Sequence, residues 1–417
     1  MRTPRVYTSV GTCSISRRTT FAEPRSDYVQ STAPMLVRYS TLVMIGALAL
    51  GCSRIGPACE ERTPQPHING INDFGQFTSD EGQVILRGVN SYPLLDHAGR
   101  ERWDDIAAIF ETARDLDRPV IRTGAYMTGG ENPGRLRDAD GSLREEGFVA
   151  LDRVISMAAE HEVQLILVTA NHWGNYGGAP AVLEAVAPGE DLPVEAFYTD
   201  PRALEHQAAF LRALITRSNS RNGTPYAFER AILAWELVNE ARCDDSSRCD
   251  EDTLANWASA MGAVIREAEV SQPIAWGGQG YLGQHGEDLE RIAQVPEIDI
   301  LTVHLYPDLG GALMLGGSGF DRVASAVQRG VVRIEDADEI AERHLKVLLI
   351  EEAGWRAEGP ERDAERAVVL GAWARSAFNA GVGFMPWMIA EPGRPDYDGY
   401  LIRPELEPAT ARVLRCE

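Results

Sequence analysis

Eight short apolar runs separated by helical stretches are the feature that most restricts how this chain can fold. The runs span residues 84–86, 119–122, 165–168, 232–235, 273–276, 298–303, 347–350 and 383–387. Between two of them, Leu151, Val154, Ile155 and Ala158 recur at the spacing of one helix face. Eight buried strands that alternate with helices predict a (β/α)₈ barrel, with a doubly wound open sheet as the alternative. Such a barrel needs about 250 residues, so we expect the surplus in loops around its mouth.

Residues 67–417 are predicted to form a single (β/α)₈ catalytic domain, because no low-complexity linker or shift in composition interrupts them. The formal net charge of −22 argues against nucleic acid as a partner, since such binding needs a basic surface. The histidines lack the His-x-x-x-His spacing of a metal site. We therefore expect no metal, and no other cofactor either. We also expect the protein to be a monomer.

The N-terminal region predicts export. Met35 begins a short basic segment, and the apolar run Thr41–Leu50 and then Gly51 and Cys52 follow. These are the parts of a bacterial signal peptide over residues 35–52, and the run is too short to span a bilayer. The end of this segment resembles a lipobox, so Cys52 is predicted to carry lipid, with an ordinary signal peptide as the alternative. Either way we expect export, as a lipoprotein of the outer membrane or cell surface or as a secreted protein.

The cysteines agree with an oxidising compartment. Residues 1–34 precede the signal and are interpreted as a non-native extension, and residues 53–66 as a polar tether. Beyond Cys52 four cysteines remain, which allow three connectivities. Cys243 and Cys249 lie close together in one polar loop and are predicted to pair. That pairing leaves Cys59 with Cys416 to join the two ends of the domain.

Polar side chains end several predicted strands, where a barrel of this kind carries its catalytic groups. Glu240 follows the fourth run and Glu352 the seventh, so both carboxylates are expected at one mouth. Taken singly, each could cap a helix. Together they match the pair that glycoside hydrolysis needs, an acid for the leaving oxygen and a carboxylate that attacks. A separation of about 5–5.5 Å would give a covalent intermediate and retention of configuration.

The residues around this pair are suited to setting its protonation and to holding the sugar. Ionised Glu352 is expected to raise the pKa of Glu240 and so keep it protonated as the acid. Asn239 is suited to hold the sugar 2-hydroxyl. Arg122 and Tyr306 are suited to hold Glu352 ionised through charge-assisted hydrogen bonds.

Tryptophans at or just beyond strand ends are candidate platforms for the apolar faces of sugar rings. Trp387 is the preferred platform, and Trp173 lies beside the same mouth. Trp276 is equally compatible with a place in the core.

Longer segments resemble the endo-β-1,4-mannanases of glycoside hydrolase family 5. The most specific is Ile232–Cys243, and Phe197–Pro201, Arg87–Tyr92, Asn171–Trp173 and Glu351–Gly354 agree with it. The resemblance covers nearly all of the chain from about residue 70 onward. It implies a retaining endo-β-1,4-mannanase whose partner is a polysaccharide such as mannan, galactomannan or glucomannan.

Carried over position by position, the resemblance implies that Glu240 is the acid/base and Glu352 the nucleophile. The family places the nucleophile two residues before a glycine, here Gly354, which selects Glu352 over Glu351. Neighbouring residues of a strand also point to opposite sides, so only one of these glutamates is expected to face the mouth. The implied supporting residues are Arg122, Asn239, His304 and Tyr306, and the implied substrate-binding residues are Trp387, Trp173, Asn171, Asn90 and Tyr92.

Four positions depart from the family's pattern. After Arg122-Thr123 the family usually has a tryptophan, and this chain has Gly124-Ala125-Tyr126; Gln279 replaces an acidic residue. Ala353 replaces an aromatic residue and Ala241 a proline. These changes spare the chemistry and alter the walls of the cleft. Two other readings therefore stay open: another retaining β-glycanase, such as an endoglucanase or an exo-acting β-mannosidase, and a non-catalytic sugar-binding surface lipoprotein.

Overall fold

The main sheet of the molecule is a closed parallel barrel. The computed structural model describes residues 63–307, 319–356 and 359–417, except for the side chains of residues 319–321. Eight parallel strands, β1 to β8, follow one another around the sheet in chain order. They span Gly88–Asn90, Val120–Gly124, Gln164–Val168, Ile232–Glu236, Ile274–Ala275, Ile300–Leu305, Val347–Ala353 and Gly383–Pro386. A parallel bridge between Arg87 and Phe384 closes the ring, which confirms the (β/α)₈ barrel and excludes the open sheet.

Helices occupy the connections between strands. In the described ranges α1 to α11 span Leu94–Gly99, Trp103–Asp115, Glu145–Glu160, Gly178–Val186, Ala196–Thr199, Pro201–Ile215, Thr253–Arg266, Leu289–Ala293, Gly319–His344, Arg362–Ala380 and Pro408–Cys416, with a 3₁₀ turn at Tyr226–Phe228. The helix predicted around residues 151–158 is α3. Two small antiparallel sheets lie outside the barrel, formed by Gly70–Asn72, Gln76–Ser79 and Gly82–Gln83 and by Leu282–Gln284 and Glu287–Asp288.

The first barrel strand lies later in the chain than its apolar run at residues 84–86 predicts. The Val84 N–H donates to the carbonyl of Phe77, in the N-terminal sheet. The chain reaches the barrel only at Leu86, whose carbonyl accepts from the Phe384 N–H at 3.1 Å. The apolar run therefore belongs partly to the N-terminal sheet and only partly to the wall of the barrel.

Apolar side chains fill the barrel interior around the first half of the strands. Val120, Ile166, Ala234, Ile300 and Leu349 pack together there, under Ile68 and Phe77 from the N-terminal segment. Burial of each large apolar side chain contributes about 1.5–3 kcal/mol relative to exposure. Since apolar side chains fill this end, the polar side chains of the strands gather at the opposite end, where the strands finish.

Part of the N-terminal organisation predicted above lies outside the described residues, namely the extension 1–34, the signal segment 35–52 with Cys52, and Cys59. Of the predicted tether 53–66, residues 63–66 are described, and there Gln65 is buried with its backbone N–H on Asp117 Oδ1. The disulfide between Cys243 and Cys249 is present, as predicted. Cys416 is also disulfide-bonded, but its predicted partner is not among the described residues. Within the described ranges, no helix combines the length and apolarity needed to cross a bilayer.

Candidate active site

Glu352 lies near the end of β7 with its carboxylate held by two donors. Arg122 Nη1 donates to Oε1 at 2.5 Å, and the Tyr306 hydroxyl donates to Oε2 at 2.7 Å. The side chain is only 5% exposed, so an ion there needs paired charge to offset its lost hydration. Arg122, from β2, supplies that charge. The contacts predicted for Arg122 and Tyr306 are therefore present.

Arg122 is the centre of a larger buried network. Its Nε and Nη2 donate to both oxygens of Glu236 at 2.7 and 2.6 Å, and Nη2 also donates to Asn239 Oδ1 at 2.7 Å. Burial alone would lower the pKa of Arg122, but the surrounding carboxylates raise it well above its ordinary value. The guanidinium is therefore a permanent cation that fixes Glu352 and Asn239 relative to each other.

Asn90 supports this network from below instead of binding substrate as predicted. It is fully buried, and its Nδ2 donates to the backbone carbonyls of Glu351 and Pro386 at 2.8 and 3.3 Å. Its Oδ1 accepts from Arg122 Nη1 at 3.2 Å. Asn90 is the last residue of β1 and lies opposite Arg122 in the pairing of β1 with β2.

Glu240 follows β4 with a backbone φ of +54°, a left-handed conformation that is strained for a residue with a side chain. Its N–H is held by the carbonyl of Gly277 at 2.7 Å. Three groups hold the carboxylate: Trp173 Nε1 lies 2.6 Å from Oε2, while Gln279 Nε2 and His304 Nδ1 lie 2.9 and 2.8 Å from Oε1. The strained backbone and the three partners together aim this carboxyl at the mouth.

The expected rise in the pKa of Glu240 is wrong for the free site. Burial alone would raise this pKa, but the hydrogen bonds and charge of His304, with those of Trp173 and Gln279, lower it to about 2. Burial alone would lower the pKa of His304, yet Glu352, Glu240 and Glu351 raise it to about 10. The proton expected on Glu240 therefore lies on its hydrogen-bonded neighbour His304.

The two predicted catalytic carboxyls lie close together. Glu240, His304 and Glu352 each offer an atom within 4.8 Å of the other two. Among the described residues this is the set that could ligate a metal ion, but the adjacent Arg122 and a protonated His304 would repel a cation. One oxygen of Glu240 and one of Glu352 are therefore no more than 4.8 Å apart, which agrees with the about 5–5.5 Å between the carboxyls of retaining glycosidases better than with the about 6.5–9.5 Å of inverting ones.

Glu351 also faces the interior, against the expectation from strand alternation. In the pairing of β6 with β7, Val303 lies opposite Ile350 and His304 lies opposite Glu352, so Glu351 is an extra residue in β7. Its Oε2 is 3.6 Å from Arg122 Nε and 3.4 Å from His304 Nε2. The register shift interrupts the alternation of side chains. Two successive glutamates therefore reach the same pair of cations.

A cleft of about 980 Å³ lies above the carboxyls, and aromatic and amide side chains line it. Trp387, Trp173, Tyr92 and Asn171 lie on its wall, as predicted. The ring centre of Trp387 is 6.0 Å from that of Tyr92. Asn171 Oδ1 accepts from Asn239 Nδ2 at 3.0 Å and so continues the Arg122 network into the cleft.

Trp276 has a core role, since it is fully buried and its Nε1 donates to Glu287 at 2.9 Å. Sequence reasoning missed three residues of the site: Glu236, Gln279 as a partner of the acid/base, and Glu351 as an inward-facing group. The available signal for Glu236 was a charged residue at the end of an apolar run. The contacts of Gln279 and Glu351 had no signal, because they depend on a loop conformation and a register shift.

Comparison with known proteins agrees with this architecture. A family model described as glycoside hydrolase family 5 β-mannosidase-like matches residues 127–374. Mannan endo-1,4-β-mannosidase 2 of Oryza sativa subsp. japonica is 31% identical, over 81% of this chain and 80% of the relative. A putative mannan endo-1,4-β-mannosidase 5 of the same plant is 30% identical, over 83% and 77%.

A solved structure extends the likeness to three dimensions. The endo-β-1,4-mannanase of Thermotoga petrophila superposes with a TM-score of 0.68 at 27% identity, over 79% of this chain and 75% of that one. The family model covers more than half of the chain, and the residues it matches include Glu240, Glu352 and the strands that carry them. On these grounds the chain belongs to the β-mannosidase-like members of glycoside hydrolase family 5.

Proposed function

We propose that this chain is a retaining endo-β-1,4-mannanase that hydrolyses mannan, galactomannan or glucomannan. The observation that carries the proposal is the pair Glu240 and Glu352, which bring one oxygen each to within 4.8 Å of the other at the mouth of the barrel. The names of the relatives, mannan endo-1,4-β-mannosidases, support mannan over other β-linked polymers as the proposed substrate of this chain. The complete set of groups around both carboxyls argues against a non-catalytic sugar-binding protein.

The proposed reaction has two displacements at the sugar C1. Glu352 attacks C1 while Glu240 gives a proton to the departing glycosidic oxygen, and a covalent glycosyl-enzyme forms. Glu240 then takes a proton from the water that attacks C1, and Glu352 leaves as a carboxylate. Asn239 Oδ1 accepts one hydrogen bond from Arg122 and keeps a second lone pair for the sugar 2-hydroxyl. Trp387 offers its ring to an apolar sugar face.

Hydrolysis of a panel of soluble polymers tests this function. The full chain and its Glu352→Ala variant are incubated with galactomannan, glucomannan, carboxymethylcellulose and xylan, and released sugars are separated by size. We expect short oligosaccharides from the two mannans, and none from the variant. Products from carboxymethylcellulose would identify an endoglucanase instead, and release of mannose alone an exo-acting β-mannosidase. Binding to a polymer without cleavage would contradict the enzyme proposal.

We also propose that the chain is exported and anchored by lipid on Cys52. The basic segment, apolar run and cysteine of residues 35–52 support this, and the disulfide between Cys243 and Cys249 suits an oxidising compartment. In a bacterial host, the protein is expected in the membrane fraction and Cys52→Ala in the soluble fraction. Equal distribution of the two forms would contradict the anchor.

A further inference from the structure

A second pair of buried carboxyls, Glu236 and Glu351, lies behind the pair at the mouth. Both are fully buried. In the part of the chain that the structure describes, no donor lies within hydrogen-bond distance of Glu351 Oε1. Burial raises the pKa of Glu236, whereas Arg122 and His304 lower that of Glu351 against the effect of burial. Arg122 and His304 therefore favour Glu351 as the ionised member of this inner pair.

His304 connects this inner pair to the acid/base. Its Nε2 lies 3.4 Å from Glu351 Oε2 and its Nδ1 lies 2.8 Å from Glu240 Oε1. The imidazole side chain has no exposed surface, so water cannot replace either partner. A carboxylate at Nε2 keeps a proton on that nitrogen, which leaves Nδ1 as the atom that gains or loses a proton.

We propose that Glu351 is a positioning residue for the proposed acid/base: through His304 it forms a carboxylate–imidazole–carboxylate relay that stores the proton which Glu240 donates. During the first displacement the Nδ1 proton passes to Glu240, and Glu240 gives a proton to the leaving oxygen as its bond to C1 breaks. During the second displacement Glu240 takes a proton from the attacking water, and a proton returns to Nδ1. One proton leaves the relay and one returns in each turnover. The inference rests on the proposed function of Glu240.

The relay explains how Glu240 can act as an acid although its pKa in the free site is low. Glu240 alone would hold no proton at neutral pH, but Glu240 and His304 together hold one. The carboxyl groups that interact with His304 are Glu236, Glu240, Glu287, Glu351 and Glu352, and Arg122 pairs with Glu351. Of these, Glu351 is the carboxylate on Nε2, so its charge favours the imidazolium most directly without contacting substrate.

Two substrates that differ only in leaving group test the relay in Glu351→Gln, which keeps the size of the side chain. A mannan oligosaccharide needs a proton on its leaving oxygen, whereas a dinitrophenyl β-mannobioside does not. Since general acids contribute about 10²–10⁴-fold, we expect kcat/KM for the oligosaccharide to fall by about 10–100-fold and that for the dinitrophenyl substrate to stay nearly unchanged. Glu351→Asp, which keeps the charge, should recover part of the loss. An equal fall on both substrates, or no fall on either, would overturn the relay.

Titration of His304 by ¹⁵N NMR gives a readout that does not depend on turnover. The signal among the eight histidines is assigned by its loss in His304→Gln. We expect the wild-type imidazole to stay protonated at neutral pH and to titrate near 10, and to titrate lower in Glu351→Gln. An unchanged titration would contradict the inference. If the wild-type enzyme cleaves neither substrate, the proposed function fails and the relay with it, and the titration then shows only whether Glu351 holds the proton on His304.

Discussion

Alanine at Glu352 is expected to reduce kcat/KM on mannan oligosaccharides by about 10⁴-fold or more, the scale on which loss of a covalent nucleophile acts. The variant lacks the atom that bonds to C1, and no other carboxyl can replace it. Glu351 lies one residue away, but its Oε2 is directed to His304 and Arg122. Initial rates by reducing-sugar assay measure the loss, with the exposed Glu405→Ala as a control that should keep full activity.

Azide distinguishes a missing nucleophile from a damaged fold. In Glu352→Ala a small anion fits the space beside Arg122 and Tyr306 and attacks C1 from that side. With a dinitrophenyl β-mannoside, azide should therefore restore turnover and yield the α-mannosyl azide. A β-mannosyl azide, or near-normal activity without azide, would show that Glu352 is not the nucleophile.

Alanine at Glu240 is expected to lower kcat/KM on oligosaccharides by about 10²–10⁴-fold, the usual contribution of a general acid. The same parameter for a dinitrophenyl substrate should change little, because that leaving group departs without a proton. Azide should then accelerate the second step, since it needs no general base, and yield the β-mannosyl azide. Equal losses on both substrates would contradict the acid role. Glu405→Ala again serves as the control.

Much of the site followed from residue positions along the strands. Glu240, Glu352, Arg122 and Tyr306 were predictable because catalytic groups of a (β/α)₈ barrel lie where strands end, and because the segment Ile232–Cys243 resembles a known family. The first reason needs only the order of residues and the rule that parallel strands finish at one mouth, and the second needs only the residues of that segment. The disulfide between Cys243 and Cys249 followed from closeness along the chain in the same way.

Other features depend on how separate segments meet. Asn90 was expected to bind substrate, but its side chain is fully buried and its amide is used by Arg122 and two backbone carbonyls. The sequence suited Trp276 to either a platform or the core, and in the structure its N–H donates to Glu287 in the core. Neither outcome can be read from a single run of residues, because each depends on a partner supplied by a distant part of the chain.

The amino-acid sequence by itself determined the barrel, the carboxyl pair at its mouth and the arginine that serves it, since strand periodicity and strand ends are local properties. The tertiary structure alone decided where the protons lie. A register shift between β6 and β7 turns Glu351 inward, and His304 then lies between three carboxylates that raise its pKa while its hydrogen bond lowers that of Glu240. The physical reason is that a pKa in a buried site depends on distances of a few ångströms between charges, and these distances are set only when the strands pack.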